Sequence, residues 1–600
     1  MNDVHTTPGA PHLELRDTLV RPLLDRWENQ PQATLFAHRV GDSFVDVPVE
    51  EAVNTIRGIA KGLIQLGVQH GDRVVVMAPT RIEWGYLDYA ILMTGAVTVP
   101  IFETSSAAQV EWIIHDSGAK VAFFSDSSLR ALFEEVASRL GHCEHVFVID
   151  DGAIEDLVER GRSVDDAILD DRIETTTTDD VATLIYTSGT TGRPKGCILT
   201  HENLRSNTLQ VRAILGDFVE PGDRTMLFLP LAHSFAKILF YFPVEMGVPV
   251  AFATNLAALP EELPMVAPHW VAAVPRVFEK FYMGAHRKAH HEGKGAIFER
   301  AAGVASRYSL EASQGRVGLS TKLLHGLFDR LLYSKLRAIF GGNLRFAFSG
   351  GGPLGERLTH FFNGSGVMVL EGYGLTETSP VLTANLPDRW KIGSVGQPVP
   401  GTTIRIADDG EVLAKGPQVF QGYWQNEDAT AEAIDDDGWF HTGDLGALDP
   451  DGYLRITGRK KDILVTAGGK NVAPALLEDL LRADPLISQA MVIGDREPFV
   501  SALITIDEEA FADWAEAHDY QGKSVADLAD DPVLREAIRE AVERTNREVS
   551  RAESIREFVI LPRDLTVEGG ALTPTLKVKR NVVLERERQV VDRIYGRTTV

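Results

Sequence analysis

The sequence predicts an α/β protein: a large multi-lobed N-terminal domain with mainly parallel sheets, followed by a small α+β C-terminal domain. At 600 residues the chain is too long for one ordinary core. Its first third alternates helix-period and strand-like apolar runs, the mark of parallel β-α units. Beyond Gly458 the pattern changes to short strands interleaved with helices, which places a domain boundary there.

The alternation starts with Val53, Ile56, Ile59 and Leu63 at helical spacing, after which Gly67 and Gly71 lead into the buried-strand run Val74-Val75-Val76-Met77. Similar units follow at 84–99 and 110–124. The most apolar long stretch, residues 238–259, holds Pro243, Glu245, Pro249 and Asn255, which argues against a spanning helix and for a buried strand-turn-strand. Residues 284–337 are rich in Ala, Lys, Arg, Glu and Leu. Leu323, Leu324, Leu327, Leu331 and Leu332 share one face there, so a helical insertion with its leucines packed into a core is expected. In the C-terminal unit strands are expected at 463–466, 490–493 and 502–506, and a helix carrying Leu534, Ile538, Val542 and Val549.

Composition narrows the function. Apolar residues are 44% and charged residues 24%, the balance of a globular protein. Acidic residues outnumber basic ones 85 to 60, and no basic tract is long enough to follow a nucleic acid backbone, so no nucleic-acid partner is expected. In so acidic a chain, Arg459-Lys460-Lys461 and Lys577-Val578-Lys579-Arg580 are the places for a phosphate-bearing ligand. Cys143 and Cys197 are the only cysteines and stand in unrelated contexts, which excludes a disulfide framework and fits a reducing cytoplasm. The polar N-terminal segment carries no secretory signal. A cytoplasmic location is expected, and the composition leaves room for peripheral contact at the inner face of the membrane.

The most informative segment is Tyr186-Thr187-Ser188-Gly189-Thr190-Thr191-Gly192-Arg193-Pro194-Lys195-Gly196, directly after an apolar strand at 181–185. Glycines let backbone approach a ligand closely while N–H groups, hydroxyls and an ammonium all donate to it, and a polyphosphate is the ligand that needs such donors. The pattern is not a Walker loop, because Pro194 precedes Lys195 and Gly196 follows it.

This loop resembles the signature of the adenylate-forming superfamily of acyl-CoA synthetases, luciferases and adenylation domains. Further motifs in the family's order support the resemblance, which spans about residues 35–580. Ser349-Gly350-Gly351-Gly352-Pro353-Leu354 is followed by Tyr373-Gly374-Leu375-Thr376-Glu377-Thr378, similar to the family's second core motif. There Tyr373 can stack on adenine, Thr376 can donate to a phosphate, and Glu377 can hold Mg²⁺ through hard oxygens together with Thr187. By resemblance, Asp444 in Trp439-Phe440-His441-Thr442-Gly443-Asp444 and Arg459 reach the ribose, and Lys461 is the hinge between domains 1–460 and 461–600. Gly468, in Ala467-Gly468-Gly469-Lys470, is the implied pantetheine-tunnel residue. Leu572-Thr573-Pro574-Thr575-Leu576-Lys577-Val578-Lys579-Arg580 occupies the place of the catalytic-lysine motif without the commoner Ser-Gly before the lysine. Aligning Lys and Arg makes Lys577 the implied catalytic residue, with Lys579 two positions away.

That variant, with Val274-Pro275-Arg276-Val277-Phe278-Glu279-Lys280 and the helical insertion behind it, resembles the long-chain fatty acyl-CoA synthetase branch. The implied reaction joins a fatty acid to coenzyme A with ATP and Mg²⁺. A fatty acyl-AMP ligase serving a carrier protein and a non-catalytic nucleotide-binding member of the fold stand as alternatives. His233, in Leu229-Pro230-Leu231-Ala232-His233-Ser234-Phe235, is a candidate for the acyl site. Two apparent metal motifs are set aside. Adjacent ligands in His142-Cys143-Glu144-His145 seldom converge, and His286 and His290, though at i, i+4, lack the glutamate of a zinc protease motif. Only Mg²⁺ is expected as a metal.

Overall fold

A computed structural model of the chain describes residues 4–187, 193–567, 569–573 and 577–597. The expected helix-strand units are present: helix Val49–Gln65 leads into strand Arg73–Met77, Ile82–Met93 into Val97–Ile101, and Ala107–Ser117 into Val121–Phe124. These strands pair in parallel within a six-stranded sheet that is closed by the antiparallel hairpin Val181–Thr187 and Lys195–Thr200. A nine-stranded sheet packs beside it. Its centre is parallel, running through Val369–Gly374, Phe346–Ser349, Trp270–Ala273, Thr225–Leu227 and Val250–Phe252, and antiparallel pairs form both edges. One apolar core continues from one sheet to the other. The third sheet, five-stranded and antiparallel, ends in Phe440–Leu448 and Leu454–Arg459; the sequence reading, with its parallel emphasis, did not anticipate it.

Beyond Arg459 a separate core forms around strands Ile487–Ile493, Val500–Ile506 and Ile555–Ile560, helix Pro474–Arg482 and helix Pro532–Asn546. Leu534, Ile538 and Val542 lie on that last helix; Val549 lies past its end.

Two expectations are corrected. The apolar stretch after Ile238 is not strand-turn-strand: helix Ser234–Met246 runs through it and only Val250–Phe252 is extended. The helix stops at Gly247, whose φ of 72° suits a residue without a side chain. Buried neighbours on several sides permit its unbroken apolar run Ile238-Leu239-Phe240-Tyr241-Phe242, which masks the helical period. The 284–337 region is helical, in Pro275–His291, Gly295–Ser313, Leu319–Phe328 and Ser334–Ile339. Its leucine face is core only in part: Leu332 packs against the core and Leu324 is half-buried, but Leu323, Leu327 and Leu331 are 69%, 52% and 51% exposed, as is Leu319 at 76%. The helix packs instead through Thr321 and Phe328, on another face.

Candidate active site

The hairpin Val181–Thr187 and Lys195–Thr200 brings Thr187 opposite Lys195 at its open end, with Ser188, Gly189, Thr190, Thr191 and Gly192 of the proposed phosphate loop outside the described residues. Thr187 Oγ1 lies 3.8 Å from Cys197 Sγ on the next strand. The Lys195 ammonium sits 5.1 Å from the centre of the Tyr423 ring. Tyr423 in turn donates its hydroxyl proton to Glu377 Oε1 at 2.8 Å. Burial first, and then the Glu377 carboxylate, hold the Cys197 thiol far above its ordinary range, so it is a neutral packing group and no nucleophile. Glu377 and Thr187 thus present a carboxylate and a hydroxyl around one side chain, a hard-oxygen donor set that fits Mg²⁺. Tyr423 escaped the sequence reading; Gly422-Tyr423-Trp424 was its only signal.

A second group faces the same cleft. The Tyr373 hydroxyl donates to Asp444 Oδ2 at 2.7 Å, and Arg459 Nε donates to Asp444 Oδ1 at 2.9 Å. Asp444 and Arg459 are direct partners in the ladder between Phe440–Leu448 and Leu454–Arg459, so strand register puts carboxylate and guanidinium side by side. Asp444 is 4% exposed, and its charge helps hold the Tyr373 phenol well above the normal range, after burial itself. Thr376, also buried, accepts from Ser234 Oγ at 3.4 Å; Ser234 is a further site neighbour that the sequence reading passed over beside His233.

His233 caps helix Ser234–Met246: its Nδ1 accepts from the Phe235 N–H at 3.1 Å. Burial, and then the charge of Lys577, push its pKa down to about 4, so the ring is neutral at physiological pH. The same ring lines the mouth of a partly open apolar cavity of about 90 Å³. Tyr373, Gly350, Gly351 and Gly374 surround that mouth, and Val211, Phe242 and Trp270 are among the deeper apolar walls. A Cβ at Gly350 would come within 3.2 Å of the Phe235 ring, and one at Gly374 would overlap the Pro380 carbonyl, so side chains there would crowd the entrance. Gly352 flanks the loop beside Pro275 and is not part of the lining.

Lys577 comes from the other domain. Its ammonium faces the open cleft but is otherwise enclosed by protein, close enough to Arg459, Asp444 and His233 for their charges to act on one another. Burial, then the Arg459 charge, bring its pKa down to about 8 despite the opposing pull of Asp444. The backbone supports it through Lys577 N donating to Thr573 Oγ1 at 3.0 Å and Thr573 N to the Lys577 carbonyl at 2.7 Å. Gly468 is elsewhere: it is exposed in the turn between strands Leu464–Val465 and Asn471–Val472. Lys461 is exposed just past the end of Leu454–Arg459.

A hairpin end that presents Thr187 and Lys195, a carboxylate-guanidinium pair and a lysine from the C-terminal unit together offer donors and charges suited to a nucleotide. The chain belongs to the AMP-binding enzyme family, whose main domain matches residues 25–424 and whose C-terminal domain matches residues 461–599. It is 49% identical over 585 residues to the long-chain-fatty-acid–CoA ligase FadD15 of Mycobacterium tuberculosis, covering 97% of each chain. It is 31% identical over 581 residues to the long-chain-fatty-acid–CoA ligase ACSBG1 of Homo sapiens, covering 90% of this chain and 80% of that one. The fold is also that of the anthranilate CoA ligase AuaEII in complex with anthranoyl-AMP, with a TM-score of 0.74 at 20% identity over 96% of this chain and 99% of that one.

Proposed function

We propose that this protein is an AMP-forming long-chain fatty acid–CoA ligase whose substrates are ATP, a fatty acid and coenzyme A. The observation that carries this reading is the convergence of Lys577, the Asp444–Arg459 pair and the mouth of the apolar cavity on one cleft. The extent and names of the relatives support the same chemistry.

The alkyl tail occupies the apolar cavity and leaves its carboxylate at the mouth, beside His233 and Gly350. The loop from Thr187 to Lys195, with Thr376, holds the ATP phosphates, and Asp444 with Arg459 holds the ribose. Glu377 and Thr187 would hold Mg²⁺, which when bound neutralises phosphate charge. A carboxylate oxygen attacks the α-phosphorus, the bond to the bridging oxygen breaks, and pyrophosphate leaves. Both reactants are anions, and the Lys577 ammonium between them offsets their repulsion and the charge that builds up in the transition state. His233, neutral, adds no competing positive charge and keeps the helix end in place.

The division at Lys461 into an adenylating unit, 1–460, and a mobile unit, 461–600, serves the second step. Rotation about Lys461 withdraws Lys577 and brings the Gly468 turn to the cleft, where the CoA thiolate attacks the acyl carbon and AMP leaves. Lys577→Ala should therefore suppress acid-dependent ATP–pyrophosphate exchange by about 10²-fold or more while sparing CoA transfer from supplied acyl-AMP. Equal loss of both steps would refute the assignment, and strong loss in Lys579→Ala alone would move it two residues.

Location in the cytoplasm with peripheral contact at the membrane is part of the proposal. No described helix is long and apolar enough to cross a membrane. The exposed leucines of Leu319–Phe328 and of the π-helical segment Asp329–Tyr333 after it, flanked by exposed Lys322, Arg330 and Lys335, are suited to rest on an anionic lipid surface.

A further inference from the structure

Helix Pro275–His291 and helix Gly295–Ser313 meet at a tight corner, where Gly293 N donates to the His290 carbonyl at 2.9 Å and Lys294 N to the Ala289 carbonyl at 2.7 Å. His286 and His290, one turn apart, project to the same side, with ring centres 4.3 Å apart. The second helix contributes what the histidine pair lacks in sequence: Glu299 Oε1 lies 2.7 Å from His286 Nε2. Ligand atoms of His286, His290 and Glu299 all fall within 4.8 Å of one another.

The surroundings hold this arrangement in place. The His286 ring packs edge-on against Phe298 at 5.4 Å and stacks on Tyr282 at 6.3 Å. Gly295 makes room for the other ring, since a Cβ there would sit 2.4 Å from His290. Arg357, over the Tyr282 ring at 5.0 Å, is the nearby cation that acts on Glu299 and lowers the net negative charge of the site.

We propose that His286, His290 and Glu299 bind one first-row divalent transition metal ion of the Zn²⁺ class. Two imidazoles and one carboxylate are the donor types such ions take, with water completing a tetrahedral shell, whereas Mg²⁺ prefers an all-oxygen octahedron. Binding replaces the His286–Glu299 hydrogen bond with bonds from both groups to the ion, so each histidine binds as the neutral ring. The helix end that carries these histidines also reaches the small domain, through Arg287 to Glu509 and His291 Nε2 to Asp513 Oδ1 at 3.2 Å. An occupied site would fix the corner against which the small domain leans.

The test uses the full-length protein, stripped of metal with a chelator and dialysed. Titration with Co²⁺, followed by its visible absorption, and competition with Zn²⁺ should show one ion per chain. His286→Ala with His290→Ala, and Glu299→Gln alone, should each lower affinity by at least about tenfold while circular dichroism and ATP–pyrophosphate exchange stay unchanged. No stoichiometric Zn²⁺ binding by the wild-type chain, or equal affinity in the variants, would overturn the proposal. Should the variants misfold, X-ray absorption of the Zn²⁺-loaded wild-type protein decides: two imidazole ligands are expected, and one or none refutes the site.

Discussion

Lys577 shows how a residue's chemistry depends on neighbours from another part of the chain. Alone it would titrate as an ordinary lysine; beside Arg459, with protein on most sides, its pKa falls to about 8. The charged form is the one below that pKa, so kcat/KM of adenylation should decline as pH rises through about 8. Bound ATP favours the ammonium and should move the same limb of kcat to higher pH. Lys577→Arg, permanently charged, should remove this basic limb while lowering the rate; ATP–pyrophosphate exchange across the neutral to alkaline range checks both. Lys577, Asp444, Arg459, Glu377 and Thr376 were legible as residues because their motifs are contiguous. Tyr423, Ser234 and the capping role of His233 were not, since each acts on a partner that only the fold brings near.

At the scale of elements, helix Ser234–Met246 has His233 as its N-cap and walls the apolar cavity along its length. A fully buried ion pair anchors it to helix Ile82–Met93: Lys237 Nζ lies 2.6 Å from Asp88 Oδ1, and the Tyr241 hydroxyl donates to Asp88 Oδ2 at 2.6 Å. The Trp84 ring, 4.9 Å from the Lys237 ammonium, covers the pair. Lys237→Met leaves Asp88 buried without its cation and should cost about 3–5 kcal/mol in urea unfolding, and adding Asp88→Asn should recover part of that. The exposed leucine helix makes the opposite prediction. Leu323→Ser with Leu327→Ser removes apolar surface that faces solvent, so stability should stay within about 0.5 kcal/mol. Co-sedimentation with anionic vesicles should fall by about tenfold or more. Unchanged vesicle binding would remove this helix from the proposed membrane contact.

For the whole molecule the decisive fact is that the C-terminal unit has apolar cores of its own, separate from those of the large unit, and that a lysine beside one of them lies close to Arg459 and Asp444. Polar contacts that hold this arrangement include Arg276 Nη2 to Ser488 Oγ at 3.5 Å and Arg357 Nη2 donating to the Ala483 carbonyl at 2.8 Å, besides the ion pairs of Arg287 and His291. Arg276 belongs to the Val274–Lys280 motif that suggested a long-chain synthetase, so part of that motif faces the small domain and not the apolar cavity. Lys461→Pro, by fixing one backbone angle at the proposed pivot, should lower CoA transfer by about tenfold or more while adenylation stays within about threefold. Equal loss of both steps in single-turnover assays would place the pivot elsewhere.

The sequence by itself determined the α/β class, the change of character near Gly458, the order of the motifs and the donor-rich composition of the hairpin loop from which polyphosphate binding is proposed. Those properties are local: they rest on the period of apolar residues and on donors adjacent along the chain. Tertiary structure decided what depends on neighbours from distant segments. Burial on several sides made a helix of residues 234–246 where the apolar run had suggested strands, and lack of a packing partner left the stripe of Leu319, Leu323, Leu327 and Leu331 in solvent. Tertiary structure also supplied Glu299 to a histidine pair that looked incomplete along the chain, and placed Lys577 beside Arg459. Spacing in sequence reports what one helix or strand can present, whereas a site is the sum of what several present to one point in space.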